Sequence, residues 1–141
     1  MSVIVTDSGF ASDDWTAGFR SIGEEGGAAL DVGGDADPAA LIAAAEGAPM
    51  VRIGFASFAD GRGFSLARRL RMAGYAGRLR AAGHVLADQY RHARRSGFDE
   101  VEIDEALAAR QPEHQWPRDV GNAYLARVGR RDAAESGAGA P

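Results

Sequence analysis

The sequence predicts an α/β chain: a small parallel sheet, or the arc of a partial (β/α) barrel, built from about four βα units. Three observations predict it. Strand-like runs centre near residues 30, 53, 80 and 102, roughly the spacing of a strand plus a crossover helix. Helical runs lie between them, and each ends at a glycine, Gly47, Gly74 or Gly97, the residue that tolerates the left-handed turn beyond a helix. The run at 50–58 is apolar except for Arg52, as suits a strand covered on both faces.

Taken in order, residues 3–5 suggest a first short strand, followed by irregular Gly- and Asp-rich chain to residue 27. Residues 28–32 read as a strand. Asp37 followed by Pro38 is an N-cap with proline at the first helical position, opening a helix that reaches Glu46 with Leu41, Ile42 and Ala45 on one face. After the strand at 50–58 comes a helix over 64–73, with Leu66, Leu70 and Ala73 inward and Arg68 and Arg71 outward. A strand at 78–82, a helix over 85–96 and a strand at 101–103 complete the repeat. Asp104 caps a last helix through Arg110, and Pro112 breaks it. Trp15 and Trp116 read as packing or interface residues. The expected division is an irregular segment at 1–27, an α/β core at 28–111, an extension at 112–131 and a disordered tail at 132–141. Open sheet edges make a homodimer plausible.

Composition narrows the chemistry. The chain has 141 residues, enough for one domain, with 45% hydrophobic residues and a net charge of -4. It has no cysteine, which removes disulfides, thiolate metal sites, thiol nucleophiles and any iron–sulfur cluster held by its own cysteines. All 16 basic residues are arginine, so lysine chemistry, a Schiff base or a P-loop lysine, is excluded too. No apolar run is long enough for a membrane span and no leader pattern opens the chain, so a cytoplasmic protein is expected. Charge is segregated. Residues 1–51 hold nine acids and one arginine, and residues 52–95 hold ten arginines and two acids. Acidic and basic faces that screen each other explain this more simply than nucleic-acid binding, which the acidic balance and the lack of interleaved aromatics argue against.

Ligands of α/β sheets bind beyond the carboxyl ends of the strands, here near Asp35 and Asp37, Asp60 and Arg62, His84, and Asp104 and Glu105. Gly61 and Gly63 flank Arg62 just before a helix. Free N–H groups at Gly63 and Ser65, with the Arg62 guanidinium, would suit a small oxyanion. Asp60 and His84 are the candidate catalytic groups, although Asp60 equally suits a turn that caps the following helix. Asp88 and His92 follow His84 at four-residue steps, but the pattern fits a solvated helix face with Asp88 paired to Arg91 or Arg95 better than a metal site. Gln89 falls in an apolar arc and reads as a tie to neighbouring backbone.

The stretch Phe55-Ala56-Ser57-Phe58-Ala59-Asp60-Gly61-Arg62-Gly63-Phe64-Ser65, with Leu79-Arg80-Ala81, Asp88-Gln89 and Gly97-Phe98-Asp99, resembles a bacterial family, domain of unknown function 934. The resemblance covers about residues 28–105. Members of that family carry the label of an oxidoreductase of sulfite reduction. The resemblance therefore implies a role in assimilatory sulfite reduction, with Arg62 and Arg80 suited to hold the oxyanion. A redox role would need a bound flavin or nicotinamide, or a partner such as sulfite reductase that owns the cofactor. Ala56-Ser57 stand where the family has a Pro-Lys pair, Ser96 where it has cysteine and His84 where it has an acid. These departures argue against mechanisms that need that lysine or cysteine. The alternatives are a non-catalytic module that docks on sulfite reductase, and a phosphate-ligand enzyme of barrel type.

Overall fold

A computed structural model describes residues 2–118. The expectations for 119–141, including the tail, lie outside the described residues. Seven strands form one sheet: β1 (Ser2–Thr6), β2 (Gly9–Ser12), β3 (Phe19–Arg20), β4 (Ala29–Gly33), β5 (Met50–Phe55), β6 (Arg78–Gly83) and β7 (Glu100–Asp104). Its order is β2-β1-β7-β6-β5-β4-β3. Strands β3 to β7 run parallel, as the repeat predicts, while β1 pairs antiparallel with both β7 and β2. The sheet is wider than the four-strand expectation. Two of the added strands, β2 and β3, lie in the segment expected to be irregular. They are short edge strands, defined by pairing with a neighbour rather than by a pattern of their own.

Four helices alternate with the parallel strands: α1 (Pro38–Ala45), α2 (Arg62–Met72), α3 (Tyr90–Ser96) and α4 (Glu105–Arg110). Asp37 caps α1, its Oδ2 accepting the Ala40 N–H at 2.9 Å, and Asp104 caps α4 through the Leu107 N–H. The run expected to be helical from 85 begins instead as a 3-10 turn, Ala87–Gln89, and becomes α-helical only at Tyr90. Gly97 ends α3 with φ 117°.

From β4 to β7, neighbours in sequence are neighbours in the sheet, so every crossover steps the same way. Right-handed crossovers then stack all the helices on one face, and α2 indeed packs against both α1 and α3. That face holds the main core, where Leu30, Val51, Ile53, Phe55, Leu79, Ala81, Val101 and Ile103 meet Leu41, Phe64, Leu70, Tyr90 and Phe98. The result is an open arc of βα units covered on one side. The side chains one residue out of step, Asp31, Arg52, Arg78, Arg80, Glu100 and Glu102, must then point to the other, helix-free face.

The N-terminal chain covers that second face. Strands β2 and β3 are opposite edges of the sheet, so residues 13–18 cross the helix-free face from one edge to the other. This strap touches down on the central strand. Asp13 lies 3.1 Å from Arg80 and Asp14 lies 2.6 Å from Arg78. At its far end the Phe19 ring sits 3.6 Å beneath the Arg52 guanidinium.

Candidate functional site

The carboxyl ends of β4, β5 and β6 carry the residues expected to do chemistry, and the turn at 61–65 is their centre. Gly61 precedes α2 with no side-chain cap. The cap comes instead from Asp60, whose Oδ1 accepts the Arg62 backbone N–H at 3.1 Å. The same carboxylate grips the Arg62 side chain, Nε to Oδ1 and Nη2 to Oδ2, each at 3.0 Å. Hydrogen bonds from the Arg62 side chain and N–H hold the Asp60 carboxyl below its ordinary range, so it is a carboxylate near neutral pH. Asp60 is thus both the turn residue and the arginine's partner.

Gly63 has a packing reason to be glycine. A Cβ there would run into the Phe55 ring, which stacks on Phe64 with centroids 4.8 Å apart. Gly34 of the β4–α1 loop comes close to the same turn: a Cβ there would stand 3.4 Å from both Asp60 Oδ2 and Arg62 Cβ. Ser65 is exposed one turn into α2.

His84 follows β6, where Gly83 adopts φ 106° and a Cβ would collide with the Phe55 carbonyl. The His84 Nδ1 lies 3.2 Å from the Phe55 carbonyl oxygen, and its ring meets Phe58 edge-on at 5.2 Å. No acid shares this contact. Gln89 closes the cluster. Its Nε2 donates to the Phe58 carbonyl and its Oε1 accepts the Leu86 N–H, tying the β5–α2 loop to the start of α3.

Arg80 is elsewhere. It is fully buried under the strap on the helix-free face, whereas α2 packs on the other. Its Nε donates to Glu100 at 2.6 Å and its Nη1 to Glu102 at 2.9 Å. The Nη2 atom approaches Asp13 as an ion pair but has no aligned acceptor. Arg52 extends the network, donating to Asp31 at 2.9 Å and to Glu102 at 3.2 Å, and Arg78 joins Glu100 to Asp14. Burial works to lower the Arg80 pKa, but Asp13, Glu100 and Glu102 raise it further, so Arg80 stays charged. The structure therefore brings Arg62, Gly63 and Ser65 together but sets Arg80 apart from them. Nor does Asp88 pair with Arg91 or Arg95 among the described residues, and no group of metal-binding side chains forms there. Asp88 lies in the 3-10 turn while Arg91 and Arg95 lie on α3, so the three do not stand on one continuous α-helix as the four-residue spacing assumes.

Two networks escape the sequence reading. The helix-free ladder is one. The other joins Asp7, Tyr90 and Arg94: the Tyr90 hydroxyl donates to Asp7 at 2.7 Å and Arg94 Nη2 lies 3.1 Å from the same carboxylate. Burial, then Asp7, raises the Tyr90 pKa, so the phenol stays protonated. Trp116 packs on Phe10 and Tyr90 and donates to the Gln111 carbonyl, which fixes the end of the described chain against β2 and α3.

With this geometry in place the comparison with known families is decisive. The description "bacterial protein of unknown function (DUF934)" matches residues 29–134. The chain belongs to this DUF934 family. The match opens at the first residue of β4, so the βα units and the turn at 61–65 lie inside the DUF934 region while β1, β2, β3 and the strap lie before it. No curated protein and no solved structure matches the chain. Within the DUF934 region, Asp60 and Arg62 at the carboxyl ends are bonded to each other, and among the described residues no acid bonds His84.

Proposed function

We propose that this protein is a binding accessory of assimilatory sulfite reduction, a module that docks on sulfite reductase and leaves the electron transfer to that partner. The sulfite-reduction context comes from the family resemblance. The accessory role is carried by one observation: Asp60 and Arg62, the acid and cation best placed for chemistry, form a closed pair at the surface. A carboxylate whose pKa is lowered by an arginine is a weaker base and so less suited to proton transfer near neutral pH. The test is to purify the protein and mix it with sulfite reductase on a sizing column. A colourless protein that co-elutes with the reductase is the expected result. A yellow protein that oxidises or reduces sulfite alone would overturn the reading.

A second reading keeps the small oxyanion at the turn. It is favoured by the exposure of Arg62, 62% for its side chain, at the first turn of an eleven-residue helix. Sulfite, sulfate or phosphate would have to share Arg62 with Asp60. Calorimetry with each anion tests this, and binding that survives Arg62→Ala would end it.

A further inference from the structure

The described chain contains thirteen arginines, and eight of them donate to a carboxylate or a carbonyl: Arg20, Arg52, Arg62, Arg71, Arg78, Arg80, Arg94 and Arg118. Of the five that do not, Arg68 and Arg95 flank one histidine, and Arg69 and Arg91 stand exposed on the same two helices. Arg68 and Arg69 project from α2, and Arg91 and Arg95 project from α3, all exposed. The two helices pack side by side, with His92 of α3 lying on Phe64 of α2 at 4.2 Å between centroids. Arg68 and Arg95 flank that histidine closely enough to act on its charge. Asp88 lines a recess together with Arg91 and, among the described residues, makes no ion pair with it. A chain with net charge -4 has acids to spare for such arginines, yet leaves them without one.

The same face exposes apolar surface. Met72, one turn after Arg68, is 80% exposed. On its other flank, toward α1, the end of α2 walls an open cleft of about 510 Å³, with Ile42, Ala43, Glu46, Leu70, Ala73 and Tyr75 among its lining. Arginine and methionine around an apolar recess are the residue types enriched where proteins meet.

We propose that the outer face of α2 and α3 is a docking surface for an acidic protein segment, whose carboxylates meet Arg68, Arg69, Arg91 and Arg95 while an apolar side chain covers Met72 and enters the cleft. Charge complementarity selects the occupant. An acidic segment answers four unpaired arginines and also supplies apolar atoms. Nucleic acid answers only the charge. Its long negative field meets an acidic molecule, and Phe64, the ring beneath His92, is buried and out of reach of stacking. The proposal rests on the docking reading above and gives it a surface.

The probe is a synthetic helical peptide rich in glutamate with leucine on one side, compared with a short DNA duplex and with phosphatidylserine vesicles. The whole protein should bind the peptide in preference to both. Affinity should fall with salt and drop at least about tenfold in the combined Arg68→Glu, Arg69→Glu, Arg91→Glu and Arg95→Glu variant. The matching set of glutamine replacements guards against misfolding and should weaken binding in the same direction. Met72→Asp should weaken binding with little change in its salt dependence. Equal affinity in wild type and both fourfold variants, or tighter binding to duplex or vesicle, would overturn the proposal. Co-elution of the fourfold variants with sulfite reductase would sink this surface while sparing the accessory role. Peptide binding without any reductase complex would do the reverse.

Discussion

Arg80 and Arg68 are twelve residues apart and chemically identical, yet the fold uses them in opposite ways. Arg80 is fully buried on the helix-free face, between Glu100, Glu102 and Asp13. Arg68 stands in water on the helical face with no acid to hold it. The difference follows from strand and helix periodicity. On β5, β6 and β7, alternate residues share a face, so Arg52, Arg78 and Arg80 are brought against Glu100 and Glu102. On α2 and α3 the exposed sides carry arginine from both helices, and Arg68 and Arg95 flank the same histidine. The first set is bound into the structure. The second is left open to something outside it.

The largest expected effect tests the bound set. Arg80→Ala would take a cation from the buried Glu100 and the half-buried Glu102, and removing one partner of a buried ion pair typically costs about 3–5 kcal/mol. Arg68→Ala removes an exposed side chain with no partner and should change stability by no more than about 0.5 kcal/mol. Urea unfolding of the two variants measures the contrast. Similar midpoints would mean that the helix-free network does not support the fold.

A smaller effect is expected at the strap. Although burial works to raise it, the Trp15 N–H and Arg80 hold the Asp13 carboxyl below its ordinary range; a hydrogen bond from Arg78 does the same for Asp14. A carboxyl depressed in the folded state stabilises it at neutral pH, and that contribution is lost as pH falls below the usual carboxylate range. Both side chains are partly in water, so Asp13→Asn with Asp14→Asn should cost at most about 1 kcal/mol globally. The local effect is easier to see. Arg20 is the one basic residue before Arg52, so tryptic cleavage after Arg20 reports on the strap's hold. The double variant should be cut faster there, and wild type should be cut faster in acid than at neutral pH once enzyme activity is normalised. An unchanged rate in the variant would show that the aspartates do not secure the strap.

These contrasts also show what the sequence could tell. The βα repeat was legible because each element carried its own signal: an apolar run, a helical stripe, an N-cap at Asp37 or Asp104, a terminal glycine. The turn at 61–65 was legible for the same reason. The strands β2 and β3 were not, because four and two residues are too few to show a period. Arg80 was misplaced because a short strand does not announce which face its arginines take. The spacing of Arg78 with Arg80 and of Glu100 with Glu102, two apart in each case, was the signal that could have placed it. Gly63 reads as a turn glycine that lets an oxyanion approach the backbone, and only the fold reveals that the Phe55 ring fills its space. A long-range contact of that kind leaves no local trace.

The smallest effect is a titration on the open face, and it sharpens the comparison most directly. Burial, then Arg95 and Arg68, push the His92 pKa below its ordinary value near 6.5. Phe64 supplies part of that burial through its ring. A histidine whose folded pKa is depressed binds its proton more readily when the chain is unfolded. The folded state is therefore favoured above the ordinary value and loses that advantage as pH drops through it. If the arginines truly lack counter-ions, replacing Arg95 with glutamine removes an uncompensated positive charge, and the His92 pKa should rise toward normal. Replacing Arg68 the same way should do so to a lesser degree. Had either arginine been paired, its removal would expose an acid and raise the histidine pKa past the ordinary value. NMR titration of the imidazole separates these outcomes. An unchanged His92 pKa in both variants would mean that the arginines do not converge on it, and the α2–α3 face would no longer count as one surface.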